Sequence, residues 1–289
     1  MIYEYFTDLF PYEKFPVENE CFKQLKDNKE INYIAVPWTQ ILNTTWINYP
    51  NAKSLDYYLK VLSEEKISQQ NNFTVCQHDD YMTLSSYFKH LNITKVFTPL
   101  HDINNNINDI KILPIAFTSL FDFNDVNKDI LFSFVGTSTS HHIRQRMKQR
   151  INGENIIYRD SYHVDPNIFN NPTNLKEKEE SEYKTILERS KYTLCPRGSS
   201  PSSVRFWESL HAGCIPILIS DNWLLPEWDW SKTIIKIKES VFETLSYDDI
   251  KNYLNSISPE KEKEMRDNCK KAYDKFKMQN YSEYIINNL

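Results

Sequence analysis

The run from Tyr192 to Asp221, YTLCPRGSSPSSVRFWESLHAGCIPILISD, constrains the fold more than any other part of the chain. It is an apolar strand-like run, a loop, a stretch at helical spacing and a second apolar run. The loop brings Arg197, Gly198 and four serines to the start of the helix. Unpaired backbone N–H groups and the positive end of the helix dipole favour a phosphate there. Arg205 and Glu208 fall three residues apart, on one helical face, so a cation and a carboxylate point the same way. Together they suit a nucleotide diphosphate and its ribose.

The distribution of glycine and arginine sharpens this reading. All four glycines and all eight arginines lie from residue 136 onward, beyond the first 135 residues, the first arginine being Arg144, whereas lysines run throughout. One half therefore holds nearly all the bidentate anion-binding capacity, because the planar guanidinium fork matches phosphate better than an ammonium does. The competing reading is chance clustering, and Arg189 and Arg266 are expected to face solvent.

At 289 residues the chain has room for two domains, each with its own core. A net charge of -5 argues against a nucleic-acid backbone as the main partner. Cys21, Cys76, Cys195, Cys214 and Cys269 are odd in number and lack C-x-x-C spacing, as reduced thiols in a cytosol-like compartment would be. The start, MIYEYFTDLFPYEKF, has acids and a proline where a signal peptide needs a basic, then apolar, run. No stretch reaches the length of a membrane span. Four Asn-x-Ser/Thr sequons begin at Asn43, Asn72, Asn92 and Asn280; without an export signal they are accidents of composition.

The order of elements is that of an α/β protein. Strands are expected at Ile31 to Val36, Phe73 to Cys76, Thr94 to Thr98 and Ile110 to Ile115, with a helix at Ser54 to Ile67 and another through Leu91. The polar stretch Asp122 to Asp129 marks the domain boundary, giving domains 1–125 and 126–289, the last residues free to pack back on the first. Beyond it, Ile130 to Val135 reads as a strand buried on both faces. Further strands are expected at Asn155 to Tyr158, Tyr192 to Cys195, Cys214 to Ile219 and Thr233 to Ile237, although Pro216 cannot donate to a sheet ladder. Two such sheets set their strand carboxyl ends around a cleft, where open α/β sheets bind ligands.

The segment Ser190 to Trp230 closely resembles the hallmark region of the exostosin-like glycosyltransferases. It carries a Cys-Pro-Arg-Gly loop, a Ser-x-Arg-x-x-Glu helix start, an Ala-Gly-Cys-Ile-Pro strand and an Asp followed by Leu-Pro. Weaker echoes are Val36-Pro37, His78-Asp79, Leu113-Pro114 and Phe134-Val135-Gly136 leading to Ile143-Arg144. The resemblance implies a GT-B architecture, two Rossmann-like domains facing across a cleft, with the nucleotide sugar on the second. It implies an inverting, metal-independent hexosyl- or pentosyltransferase that moves a sugar from a nucleotide sugar, UDP-linked, to a glycan hydroxyl. No cofactor beyond the donor, no nucleic acid and no transmembrane segment are expected. The sequence lacks the membrane anchor and stem of animal and plant members, so a compact soluble form of the bacterial or large-DNA-virus kind is expected, in the cytoplasm, or the host cytoplasm if viral.

Departure of a diphosphate builds negative charge that fixed donors must meet. Arg144, Arg197, Gly198, Ser202, Ser203 and Arg205 are the candidates for it, and Glu208 is the candidate for the ribose hydroxyls. The alternative for Glu208 is a surface ion pair with Arg205. No Asp-x-Asp pair occurs, which disfavours a metal held by that motif. Gly213 is the expected helix C-cap, and Phe206, Trp207 and Leu210 are expected in the core. His141 and His142, being adjacent, cannot converge on one metal, and His211 is expected on the helix surface.

The acceptor hydroxyl needs a general base from the other domain. Asp79 is the first candidate, with His78, Asp80 and His101 behind it. The competing reading makes Asp79 and Asp80 the start of the next helix. A phosphatase built on Cys195 would need an arginine six residues on, where Pro201 stands. A catalytically inactive nucleotide-sugar or glycan-binding module is the remaining alternative.

Overall fold

The computed structural model describes every residue except 11–15, 46–51, 149–155 and 161–173; at 148, 156–160 and 174–177 only the backbone is described. Within that chain, ten strands form two five-stranded sheets. The first comprises β1 (Ile2–Glu4), β2 (Tyr33–Ala35), β3 (Asn72–Val75), β4 (Ile93–Thr98) and β5 (Lys111–Pro114). The second comprises β6 (Ile130–Gly136), β7 (Ile156–Asp160), β8 (Ser190–Pro196), β9 (Ile215–Ile219) and β10 (Ile235–Lys236). All pairings in both are parallel.

The α/β class follows from the alternation of short apolar runs with helices, since parallel strands need crossovers that cover the sheet. β3 and β9 are buried along their whole length. The first sheet keeps chain order, β1-β2-β3-β4-β5. Its core gathers Ile34, Val36, Trp38, Leu62, Phe88 and Val96 from strands and helices. Trp38 Nε1 donates to Thr74 Oγ1 at 2.8 Å, and that hydroxyl donates to the Ile34 carbonyl at 2.7 Å.

The second sheet runs β10-β9-β8-β6-β7. Its chain order reverses between β6 and β8. At such a reversal the crossovers leave to opposite faces, and the carboxyl ends of the two central strands frame a crevice. Those ends are Gly136 and Pro196. The first sheet has no such reversal among its described strands.

The chain divides into two compact units, Met1–Thr118 with Asn222–Pro226 and Phe276–Leu289, and Ser119–Asp221 with Glu227–Lys275. The mid-chain break thus falls between Thr118 and Ser119, seven residues before the expected 125/126 boundary. The polar stretch read as linker begins at Asp122, yet residues 119 to 125 pack within the second unit: the Phe121 ring lies 5.6 Å from Tyr183, and Asp125 pairs with Lys270 at 3.1 Å. The tail lies on the first unit through Tyr281 Oη donating to the Ala116 carbonyl and Tyr284 Oη to that of Pro114, both at 2.8 Å.

Expected strands appear within a few residues of their places; Asn155, the expected start of β7, lies outside the described residues. Pro216 is accommodated because β10 pairs only with Ile217 and Leu218, so the ladder on that side of β9 begins after the proline. Ser54 caps its helix by accepting from Tyr57 N at 3.3 Å.

Candidate functional site

At the carboxyl end of β8 the chain turns through 197–203 into the helix Val204–His211. Phe206 N–H is the first helical amide to reach a carbonyl, that of Ser203, at 3.1 Å. The Ser203 side chain makes no cap hydrogen bond. The amides ahead of Phe206 are therefore open to an anion. Ser202 and Ser203 are buried beside them, and Ser202 Oγ lies 2.9 Å from Ser200 Oγ.

Arg205 is the second residue of this helix and is 9% exposed. Its Nη2 donates to the Val135 carbonyl, and its Cζ stands 4.5 Å from the centre of the Phe134 ring. Nε and Nη1 are buried and have no partner among the described residues. A guanidinium held in this way at a strand end costs free energy unless an acceptor arrives, because buried donors are nearly always paired. It sits at the β6/β8 reversal, where the topology puts the crevice.

Arg144 has a different task. From the helix His142–Lys148 it donates through Nε to the Arg197 carbonyl at 2.8 Å, through Nη2 to that of Pro196 at 3.0 Å, and through Nη1 toward that of Thr137 at 3.4 Å. It clamps the ends of β6 and β8 into one shape. Arg197 turns toward Glu239, with Nη1 3.8 Å from Oε1, and toward carbonyls of its own loop. Of the three arginines expected to face a phosphate, only Arg205 keeps buried donors with no partner among the described residues. The backbone of Gly198 passes close to the Arg144 guanidinium, where a Cβ would stand 3.4 Å from Nη2.

Glu208 is 7% exposed, and burial raises its carboxyl, offset by Tyr183 and Arg205. Oε2 accepts from Tyr183 Oη. The surface ion pair with Arg205 that the i,i+3 spacing allows is not formed among the described residues, since both side chains turn inward. Oε1 makes no hydrogen bond among them and is the oxygen left for a hydroxyl ligand. Tyr183 escapes a sequence reading because it lies on the polar helix Asn174–Arg189, 25 residues upstream of its partner.

Gly213 takes φ +60° and closes the helix with its N–H on the Leu210 carbonyl at 3.1 Å, the expected C-cap geometry. Phe206, Trp207 and Leu210 are buried as expected. Burial pushes the Cys195 thiol up to about 12, so a thiolate nucleophile is not available there. All five cysteines are free and buried. His142 Nε2 pairs with Glu243 at 3.0 Å. His211 is not on the open surface: it stacks on Tyr273 at 3.9 Å and bonds Ser119 Oγ through Nδ1 at 3.1 Å.

The acceptor-side candidates gather at the carboxyl ends of β3 and β4 in the first unit. His78 has both nitrogens in use, Nε2 to Asn43 Oδ1 at 2.9 Å and Nδ1 accepting from Asp80 N–H at 3.0 Å. Nε2 therefore carries the proton. Burial lowers its pKa and keeps the ring neutral. It holds the turn on which Asp79 stands exposed. Asp80 occupies the N-cap position of the short 3-10 turn Tyr81–Leu84 but makes no side-chain cap bond, so capping does not account for Asp80. His101 is buried at the end of β4 with Nδ1 unpartnered among the described residues, and burial lowers its pKa.

Glu18 is the residue that pattern reading missed. It is fully buried, accepts from Gln77 N–H and from Thr39 Oγ1, both at 2.7 Å, and from Thr39 N–H at 3.2 Å. It ties the first turn of the helix after β2, Trp38–Asn43, to the loop that carries His78 and Asp79. A Pro-Val-Glu helix start gives no sign of this, because acids are common in first turns.

The Exostosin GT47 domain matches residues 66–247, more than half of the chain, including the helix that carries Arg205 and Glu208. The chain belongs to the exostosin GT47 family. The exostosin-1 homolog of Caenorhabditis elegans is 36% identical over 110 residues, covering 36% of this chain and 28% of the relative. Exostosin-1 of Drosophila melanogaster is 43% identical over 63 residues, covering 21% and 8%. A probable glycosyltransferase of Arabidopsis thaliana is 32% identical over 63 residues, covering 20% and 13%. The chain thus spans less than a third of the length of these relatives. Among solved structures, TarM aligns over 78% of this chain and 51% of its own with a TM-score of 0.45 and 10% identity. The pneumococcal O-GlcNAc transferase GtfA aligns over 75% and 52%, with a TM-score of 0.34 and 10% identity. No helix among the described residues is long and apolar enough to cross a membrane.

Proposed function

We propose that this exostosin-family chain is an inverting glycosyltransferase that moves a sugar from a UDP-sugar to a glycan hydroxyl, without a metal and with no cofactor beyond the donor. The observation that carries the reading is Arg205: buried at the β6/β8 reversal, two donor nitrogens unpartnered, next to the open amides of a helix N-terminus. Charge that builds on a departing diphosphate is stabilised most by donors already fixed in place. Arg205 and the helix amides supply these, with Ser202, Ser203 and Gly198 in the loop. Arg144 fixes the loop, and Arg197 joins when it leaves Glu239. Glu208 receives the ribose through Oε1, with Tyr183 holding Oε2.

Asp79 is the proposed general base on the acceptor side, and His78 keeps its turn in place. An inverting displacement needs one carboxylate that takes the acceptor proton as the hydroxyl attacks. The inactive-module alternative has no specific observation in its favour.

Calorimetric titration with UDP, followed by a panel of UDP-sugars, tests the assignment. Wild type binds UDP; Arg205→Lys weakens it tenfold or more because lysine cannot reproduce the guanidinium fork. Transfer persists in excess EDTA. Unchanged UDP affinity in Arg205→Lys would refute the donor site, and activity lost to EDTA but restored by manganese would refute the metal-free step.

A further inference from the structure

We propose that the second unit holds another binding site, for a small organic oxyanion, at the amino ends of β6 and β8. A cavity of about 620 Å³ opens there, lined by Tyr192 of β8, Leu254 and Ile257, and the first turns of the helix Pro259–Phe276 with Glu262 and Arg266. That volume lies within the range of small-molecule pockets.

Two polar groups on its wall have no partner. Tyr192 is 1% exposed, yet its hydroxyl makes no hydrogen bond among the described residues. Arg266 Nε is likewise buried and unpartnered. One orphan donor is an irregularity of packing; two lining the same cavity define a place for an acceptor oxygen.

The charges point to an anion. Lys191 Nζ and Arg266 Nη1 share one carboxylate, Glu262, at 2.9 and 3.7 Å. Lys263 and Lys270 have acids of their own, Asp267 at 3.0 Å and Asp125 at 3.1 Å. The set carries one uncompensated positive charge, at the Lys191–Arg266 pair, beside the two orphan donors. Leu254 and Ile257 then offer an apolar wall to the rest of the ligand. The chemistry fitted is a carboxylate or phosphomonoester on a compact apolar body, its oxygens on Tyr192 Oη and Arg266. From Tyr192 to Arg197 is five strand residues, roughly 16 Å. The site is therefore separate from the donor loop at the other end of β8.

Calorimetric titration of the full chain with hexanoate, monohexyl phosphate and acetate tests this. Hexanoate or monohexyl phosphate should bind saturably with one-to-one stoichiometry, and whichever is tighter identifies the head group. Acetate, which cannot reach the apolar wall, should bind at least fivefold more weakly. Tyr192→Phe keeps the ring and removes the hydroxyl, so affinity should fall about tenfold; Arg266→Gln should remove binding. Arg205→Gln should leave it unchanged, whether or not UDP is a ligand of the donor loop. Circular dichroism melts establish that the variants are folded. The proposal is overturned if neither long-chain probe binds, if acetate binds as well as hexanoate, or if binding is lost in Arg205→Gln but survives Tyr192→Phe and Arg266→Gln.

Discussion

Gly136 lies directly under the Arg205 guanidinium: a Cβ at position 136 would overlap Arg205 Nη2. The end of β6 is thus a glycine because an arginine from the helix that follows β8 occupies the space a side chain would fill. Gly136→Ala should push the Arg205 guanidinium out of place at Nη2 and leave the strand intact. UDP affinity, by calorimetry, should fall tenfold or more while circular dichroism stays that of the wild-type fold, the added methyl costing about 1 to 3 kcal/mol of local stability. Gly198→Ala, which meets Arg144 Nη2 only at 3.4 Å, should cost less affinity. Equal affinities in Gly136→Ala and wild type would show that Arg205 does not hold the nucleotide.

Tyr183 and Glu208 give a second test. Burial raises the Glu208 carboxyl, and its proposed acceptor role toward a ribose requires the ionised form. Tyr183→Phe removes the hydroxyl that offsets that burial, so UDP affinity should drop severalfold and the pH at which it rises should move upward. Glu208→Gln should remove that pH dependence. A Tyr183→Phe variant with the affinity and pH profile of wild type would separate the tyrosine from the site.

The helix of the proposed donor site was legible because its residues are close in sequence: a loop, an N-terminus, Arg205 and Glu208 fall within one crossover, and helical spacing gives their face. Whether those side chains turn inward was not legible. Glu208 could as well have paired with Arg205 on the surface; its partner Tyr183 comes from another helix. The Arg144 clamp was not legible for the same reason, since a guanidinium that donates to the carbonyls of Pro196 and Arg197 looks in sequence like one aimed at phosphate. The β6/β8 reversal follows from strand order, which no local pattern encodes. β1, three residues at a sheet edge and only partly buried, lacks the apolar run that marks the other strands.

His78 and Asp79 should separate by kinetics. Asp79→Asn keeps size and much of the hydrogen bonding but removes the proton acceptor, so kcat should fall about 10²- to 10⁴-fold with UDP affinity unchanged. His78→Ala frees the turn by removing the bonds to Asn43 and Asp80, and should cost less, partly in acceptor KM. If Asp79→Asn keeps substantial turnover while His101→Ala abolishes it, the base is the buried histidine at the end of β4.

Glu18 makes the first unit sensitive to pH in a stated direction. Burial raises its carboxyl from an ordinary 4.5 to about 7, even though Gln77 and Thr39 donate to it. A group whose folded value lies above its unfolded one lends stability that is fully present below the unfolded value and lost as pH rises through the folded one. At about 1.4 kcal/mol per pH unit, ionisation costs the first unit about 3 kcal/mol between pH 4.5 and 7, and nothing further above that. Glu18→Gln carries no titrating proton. Its stability should be flatter across this window, lower than wild type near pH 5, where Gln replaces a well-bonded acid, and closer to or above it at pH 8. Hydrogen exchange of the amides of β2, β3 and β4 is the suitable measurement, because a chain of two units need not unfold in one step. Parallel pH profiles for the two proteins would mean that Glu18 titrates at its ordinary value and that the clamp between the helix after β2 and the loop after β3 stays charged throughout.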